Sequence, residues 1–223
     1  MNRRTVLSRL GGAATLGIAG CLGGDGGGGD GNVVLDEPDR QFESADVPYP
    51  AWGERVPDVT LPAIPGESPV SVRELDEPAL LTYFYSSCQT VCPVLISTLR
   101  NVQAHAQTNG YADEVQFLPI TFDPERDTAE RLQDYADQMN VDLSAGNWQF
   151  LRPESPDRAR TVVDEQFGVV FQRTHPEDMD MYMFTHGAMT TLVNADGYVE
   201  RAYRSQSPDQ DRIVDDLATV RSA

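Results

Sequence analysis

The stretch Tyr83-Phe84-Tyr85-Ser86-Ser87-Cys88-Gln89-Thr90-Val91-Cys92-Pro93 decides how this chain is read. An apolar β-type run, Leu80 to Tyr85, empties into two cysteines four residues apart, and a helical pattern starts at once. Pro93 suits the first turn of that helix, where a missing backbone N–H costs nothing. Cysteines spaced i, i+4 share a face if the helix already includes them. They are then close enough to bridge or to clamp a soft metal ion. A helix N-terminus also favours the thiolate of Cys92. A purely structural disulfide is the alternative, but a bridge across so short a loop removes little unfolded-state entropy.

Working outward, Leu95, Leu99, Val102 and Ala106 mark the helical stripe from Pro93 to about Gln107, closed by Asn109-Gly110. Val56 to Pro62 reads as an edge strand and Ala79 to Tyr85 as a central strand buried on both faces. Val115 to Thr121 is the next strand. Asp127-Thr128-Ala129-Glu130 resembles a capping box opening a second helix. A short strand at Trp148 to Leu151 precedes a helix from Ser155-Pro156-Asp157 to about Phe167, ended by Gly168. Val169 to Phe171 reads as strand and Thr174 to Asp180 as loop. Gly187 to Val193 and Gly197 to Tyr203 form a hairpin, and Ser207-Pro208-Asp209-Gln210 caps a last helix through Ile213, Leu217 and Val220. This alternation predicts an α/β domain with a central mixed sheet flanked by helices. The closing hairpin and helix fit a thioredoxin-like fold.

The N-terminus carries addresses rather than fold. Arg3-Arg4-Thr5-Val6-Leu7 is a twin-arginine signature, and the weakly apolar run to Gly20 is too short to span a bilayer. Ile18-Ala19-Gly20-Cys21 resembles a lipoprotein cleavage box, so residues 1–20 are expected to be a signal peptide and Cys21 the lipidated residue. Residues 21–45, opening on glycine and aspartate, are expected to be a flexible tether, with the folded domain over 46–223. The expected location is the outer face of the cytoplasmic membrane, held by the lipid. With Cys21 set aside, Cys88 and Cys92 are the only cysteines, free to cycle or to stay oxidised in an extracytoplasmic compartment.

The formal net charge is −18, and all 17 basic residues are arginine. That excess argues against nucleic acid and against electrostatic adhesion to anionic lipid. It resembles the surface of a halophile protein, kept soluble where salt screens self-repulsion.

Of the three histidines, His105 falls within the first helix and His175 in the polar loop. His186, in Phe184-Thr185-His186-Gly187, stands where the expected topology returns beside the central strand. Two thiolates and one imidazole form a donor set suited to copper in either oxidation state.

The cysteine loop resembles the Cys-x-x-x-Cys-Pro loop of the Sco/SenC proteins, thioredoxin-like copper proteins of cytochrome c oxidase assembly. Thr121-Phe122-Asp123-Pro124-Glu125-Arg126-Asp127-Thr128 is similar to that family's Asp-Pro-x-Arg-Asp-Thr segment. The resemblance covers roughly Pro57 to Val220. It implies that Cys88, Cys92 and His186 are copper ligands and that Asp123 is a near-site carboxylate in a supporting or docking role. Gln89-Thr90 stands where the family often has Pro-Asp, and this cysteine loop carries no acid.

The implied function is a membrane-anchored metallochaperone that passes copper to the binuclear site of oxidase subunit II. A thiol reductant would keep the cysteines open, since a Cys88–Cys92 disulfide cannot hold the metal. The rival is an enzyme, a thiol–disulfide oxidoreductase using Cys88 and Cys92 as its redox pair to keep the oxidase copper-site cysteines reduced. Peroxide reduction and a purely structural lipoprotein fit the sequence less well. Met179 and Met181 are candidates for an auxiliary Cu(I) contact. The better supported alternative is that the alternating methionines 179, 181, 183 and 189 pack one strand face.

Overall fold

The computed structural model describes residues 32–223 apart from Glu67 and Asp178. The twin-arginine segment and Cys21 lie outside the described residues. Three short strands open the domain: β1 (Thr60–Leu61), β2 (Ala63–Ile64) and β3 (Val70–Ser71). There follow β4 (Ala79–Phe84), α1 (Val91–Asn109), β5 (Gln116–Thr121), α2 (Ala129–Met139), β6 (Phe150–Leu151) and α3 (Pro156–Ala159). A π-helical stretch, Arg160–Gln166, continues α3. The C-terminal third holds β7 (Phe171–Thr174), β8 (Met183–His186), β9 (Thr190–Val193), β10 (Val199–Tyr203) and α4 (Gln210–Arg221).

Six strands form the main sheet in the order β10-β9-β4-β5-β6-β2. β4, β5 and β6 run parallel; β9 lies antiparallel to β4, β10 to β9, and β2 to β6. The sheet is therefore mixed, as the alternating sequence requires. All six residues of β4 are buried, because helices cover both faces. Side chains alternate across a strand. Phe84 stacks on Tyr135 of α2 at 5.7 Å, while its neighbour Tyr83 points the other way to Phe167 at 5.4 Å.

α1 ends on Gly110 in the left-handed conformation, and α2 on Asn140, which adopts the same turn. Thr128 caps α2 by accepting from the Arg131 N–H. Asp127, expected to share that cap, is buried and turned toward the cysteine loop instead. The expected edge strand over 56–62 shrinks to β1, since Pro57 and Pro62 cannot donate to a ladder. At Gly168 (φ +64) an added Cβ would lie 2.1 Å from the Pro48 carbonyl oxygen, so only glycine lets residues 47–49 close against the end of the third helix.

Two expectations are corrected. Residues 32–45 are not a free tether. The backbone N–H groups of Val34 and Leu35 donate to the Glu200 carboxylate at 2.9–3.0 Å, Leu35 is buried, and its carbonyl accepts from the Trp52 indole at 2.8 Å. Asn194 donates to the same carboxylate at 2.7 Å. The packed domain thus starts near Asn32. Glycine and aspartate dominate only the part of the segment before it.

The strand expected at 169–171 lies further on, at β7, and the loop expected at 174–180 is followed by a partner strand, β8, that was not expected. β7 and β8 pair antiparallel in a two-stranded arm outside the main sheet, with Phe171 opposite His186. Gln172 and Arg173 are both exposed, which a strand outside the main sheet tolerates.

The docked N-terminal segment yields a first prediction. A chain starting at residue 46 should be less stable than one starting at 32 by about 3 kcal/mol. It loses the burial of Leu35 and two of the donors that satisfy a buried carboxylate. Urea unfolding of the two chains measures the difference; equal midpoints would show that the segment contributes nothing.

Candidate metal centre

β4 delivers the chain into a turn in which the Cys88 N–H donates to the Tyr85 carbonyl at 3.2 Å. α1 then begins at Val91, with Thr90 as N-cap. Cys88 is therefore in front of the helix and Cys92 in its first turn, not both on the helix. The Thr90 hydroxyl makes no cap bond; it lies 3.6 Å from the Cys88 sulfur. From the other side β8 ends at His186, whose Nε2 is 3.5 Å from Cys92 Sγ and 3.9 Å from Cys88 Sγ. The three donor atoms lie within 4.8 Å of one another, and this is the one group of such side chains with metal-holding geometry among the described residues.

The two cysteines are not joined in a disulfide. A hydrogen bond from Cys92 holds the Cys88 thiol well below its ordinary range, with help from the backbone amides of Cys92 and Thr90 and against the cost of burial. Burial pushes Cys92 up, and the charge on Cys88 adds to that. The reduced pair is a Cys88 thiolate and a Cys92 thiol. This reverses the expectation that the helix end favours Cys92. The free amides at a helix N-terminus point outward, toward the residue ahead of the helix, which is Cys88.

His186 Nδ1 lies 2.7 Å from the Gly187 carbonyl, which can only accept, so Nδ1 carries the proton and Nε2 faces the sulfurs bare. Its ring rests against Phe122 at 5.2 Å and Tyr85 at 5.9 Å. These belong to an aromatic cluster that joins the arm to the body, with Phe122 stacked on Phe171 at 4.7 Å.

Two acids of the Asp-Pro-x-Arg-Asp-Thr segment brace this geometry. Asp127 accepts from the Ser86 N–H, the Ser86 hydroxyl and the Thr121 hydroxyl, tying the start of the cysteine loop to the end of β5. Arg131 donates to the Ser86 hydroxyl and carbonyl at 3.0 and 3.1 Å. Burial pushes the Asp127 carboxyl up, against the lowering effect of its bonds to Ser86 and Thr121.

Asp123 is 1% exposed and accepts from Tyr182 Oη at 2.8 Å and from Arg126. The Tyr182 ring lies between the guanidinium groups of Arg126, at 3.8 Å, and Arg173, at 4.0 Å, and Arg173 pairs with Glu125. Asp123 so fastens the arm that carries His186. A carboxylate so deeply buried has no face to offer a docking partner. Sequence reasoning missed Asp127 and Tyr182. An acid just ahead of the Thr128 cap was the visible signal for Asp127; nothing marked Tyr182.

The methionines divide. Met179 and Met181 lie in the turn joining β7 to β8, 41% and 50% exposed, at the end of the arm away from His186. Met189 is buried and Met183 packs partly against the core. Met183 stands on β8 and Met189 just before β9, so core packing accounts for these two, and no single strand face holds all four.

The family model for SCO1/SenC matches residues 67–222. The chain belongs to the SCO1/SenC family. It is 24% identical over 142 residues to the SCO1 protein homolog of Bacillus subtilis, covering 63% of this chain and 69% of that protein. It is 26% identical over 134 residues to an SCO2-like protein of Rickettsia conorii, and spans only 60% of that relative's length. Bradyrhizobium japonicum ScoI, solved with copper bound, superposes with a TM-score of 0.59 at 22% identity over 72% of this chain and 96% of that one. The fold is thioredoxin-like.

In this SCO1/SenC chain the donors fit a soft or borderline ion. Two sulfurs and a bare imidazole nitrogen suit copper. The group contains no carboxylate, and hard cations require oxygen donors. Cys92 is fully buried, Cys88 nearly so, and His186 half-exposed, so the site opens to solvent on the histidine side.

Proposed function

We propose that this SCO1/SenC chain is a copper carrier, exported by the twin-arginine route and anchored through a lipid on Cys21 to the outer face of the cytoplasmic membrane. Cys88, Cys92 and His186 hold one Cu(I). The ion then passes by ligand exchange to the binuclear copper site of cytochrome c oxidase subunit II. The observation that carries this reading is the convergence of three soft or borderline donors, from α1, the loop before it and a separate arm, within 4.8 Å.

The protonation pattern sets the bookkeeping. Binding displaces one proton, from Cys92, because Cys88 is already a thiolate; release to a partner dithiol returns a proton to Cys92 while the partner's thiols give up theirs. Oxidation of the pair to a disulfide passes two electrons to an acceptor and removes both sulfur donors, so a thiol reductant reopens the site.

Titration of the reduced full chain with Cu(I), against a competing chelator, tests this. One copper per chain is expected, and none after oxidation of the cysteines. A reduced chain that binds no copper while exchanging readily with a disulfide substrate would instead support the reductase. That second reading has its own support in a Cys88 thiolate backed by a Cys92 thiol, the arrangement of a nucleophilic and a resolving cysteine.

A further inference from the structure

The distribution of acid over this chain is uneven, and the gaps converge on the metal centre. No aspartate or glutamate occurs between Glu77 and Asp113, between Glu165 and Glu177, or between Asp180 and Asp196. An even spread of the 35 acids over 223 residues would put about ten in those three stretches. The first holds β4, the cysteine loop and α1. The second holds β7, and the third holds β8, His186 and β9.

Much of these stretches is buried, where acid is rare anyway, so the informative residues are the exposed ones. Gln89 and Thr90 are exposed between the two cysteines, and Thr185 and Gly187 flank His186. Val94 is 39% exposed two residues after Cys92. Val170 is 63% exposed, and its carbonyl accepts from the Gly187 N–H at 3.0 Å, which sets it beside the histidine. The exposed residues named beside the ligands are therefore uncharged and include two valines, on a protein whose net charge is −18. The Met179 and Met181 turn lies between Glu177 and the acid-free β8 and is not part of this surface.

We propose that this uncharged rim, centred on Val94 and Val170, is the docking surface for the protein that receives the copper, and that the receiving face is itself apolar and uncharged around its dithiol. The inference rests on the carrier reading above. Ligand exchange between buried thiolates requires the two rims to touch and exclude water. A charge trapped in such a contact without a partner costs several kcal/mol, so a surface selected for this contact sheds its acids while the rest keeps them. Apolar docking also survives, and strengthens in, salt that would screen a charge-steered encounter.

The test follows Cu(I) transfer from the loaded full chain to the copper-free, reduced copper-site domain of subunit II. Val94→Glu and Val170→Glu should each slow transfer about tenfold or more. Copper loading should be unchanged in both, and Ala104→Glu, exposed three turns along α1, should transfer normally. Raising KCl from 0.5 to 3 M should leave the wild-type rate undiminished. Normal transfer by both valine variants, or a rate that falls steeply with salt, overturns the docking surface alone. A wild-type chain that holds copper yet passes none overturns the carrier reading and the docking surface with it.

Discussion

Replacing His186 with alanine is expected to weaken Cu(I) binding by about a hundredfold, a loss of roughly 2.7 kcal/mol, while leaving stability nearly unchanged. The imidazole is half-exposed and is the only donor supplied by the β7–β8 arm, so its removal costs a ligand and little packing. The two sulfurs, 3.5 and 3.9 Å from Nε2, remain to hold the ion in linear coordination. That is a serviceable geometry for Cu(I) and a poor one for Cu(II), so the Cu(II) charge-transfer band should disappear altogether. Cys88→Ser should abolish both. Affinity should fall with acidity about tenfold per pH unit between pH 8 and 7, because only Cys92 has a proton to lose. A hundredfold fall would mean that both cysteines are thiols in the reduced protein. Competition titrations with a Cu(I) chelator at several pH values read all of these. Wild-type affinity in His186→Ala would exclude the histidine from the centre.

The reason the three donors could be read from the sequence while their supports could not lies in the range of the signals. Cys88 and Cys92 declare themselves by spacing, by the apolar strand before them and by Pro93, all within the fourteen residues from Leu80 to Pro93. His186 was recoverable because β9 returns antiparallel to β4, with Thr82 opposite Thr190, and so brings the chain back to the cysteine loop. Local pattern also located the strand core of the sheet, the end of α1 at Gly110 and the start of α2.

It failed where the determinant is tertiary. The arm has only four residues a side, Phe171–Thr174 and Met183–His186, with no alternation of polar and apolar residues to mark a strand, and it is held by aromatic contacts to Phe122 and by the Asp123–Tyr182 bond. Val34 and Leu35 look like the end of a linker until Glu200, some 165 residues later, supplies the acceptor. The preference for Cys88 over Cys92 as thiolate depends on the hydrogen bond that Cys92 gives Cys88 and on the deeper burial of Cys92. Spacing cannot say that, because both are set by the tertiary fold around the loop.

Asp127→Ala should be the most destabilising single change outside the hydrophobic core, by about 3–5 kcal/mol. It leaves the Ser86 N–H and the Ser86 and Thr121 hydroxyls buried without their acceptor, and unsatisfied buried donors cost about 1–3 kcal/mol each, less whatever the two hydroxyls recover by rotating. Asp127→Asn should cost much less, since the amide oxygen still accepts from the Ser86 N–H and the hydroxyls can turn to accept from the amide nitrogen.

The direction of the Asp127 shift agrees with this. Burial raises its folded-state value above the unfolded one, so its contribution is fully present at acid pH, below the unfolded value, and declines as pH rises through the raised value. A neutral amide mimics the form that burial favours. Thermal unfolding of the two variants near neutral pH measures the difference, and equal losses would mean that the charge, not the acceptor, is what the site needs.

The same pair of variants tests how the metal centre is built. Ser86 stands two residues before Cys88, and Arg131 grips it from α2, so releasing Ser86 frees the turn that sets Cys88 ahead of the helix. Any folded fraction of Asp127→Ala should therefore bind Cu(I) less tightly than Asp127→Asn, although neither residue touches the ion. The buried acid is then a positioning residue: it converts the energy of a satisfied carboxyl into the placement of a thiolate.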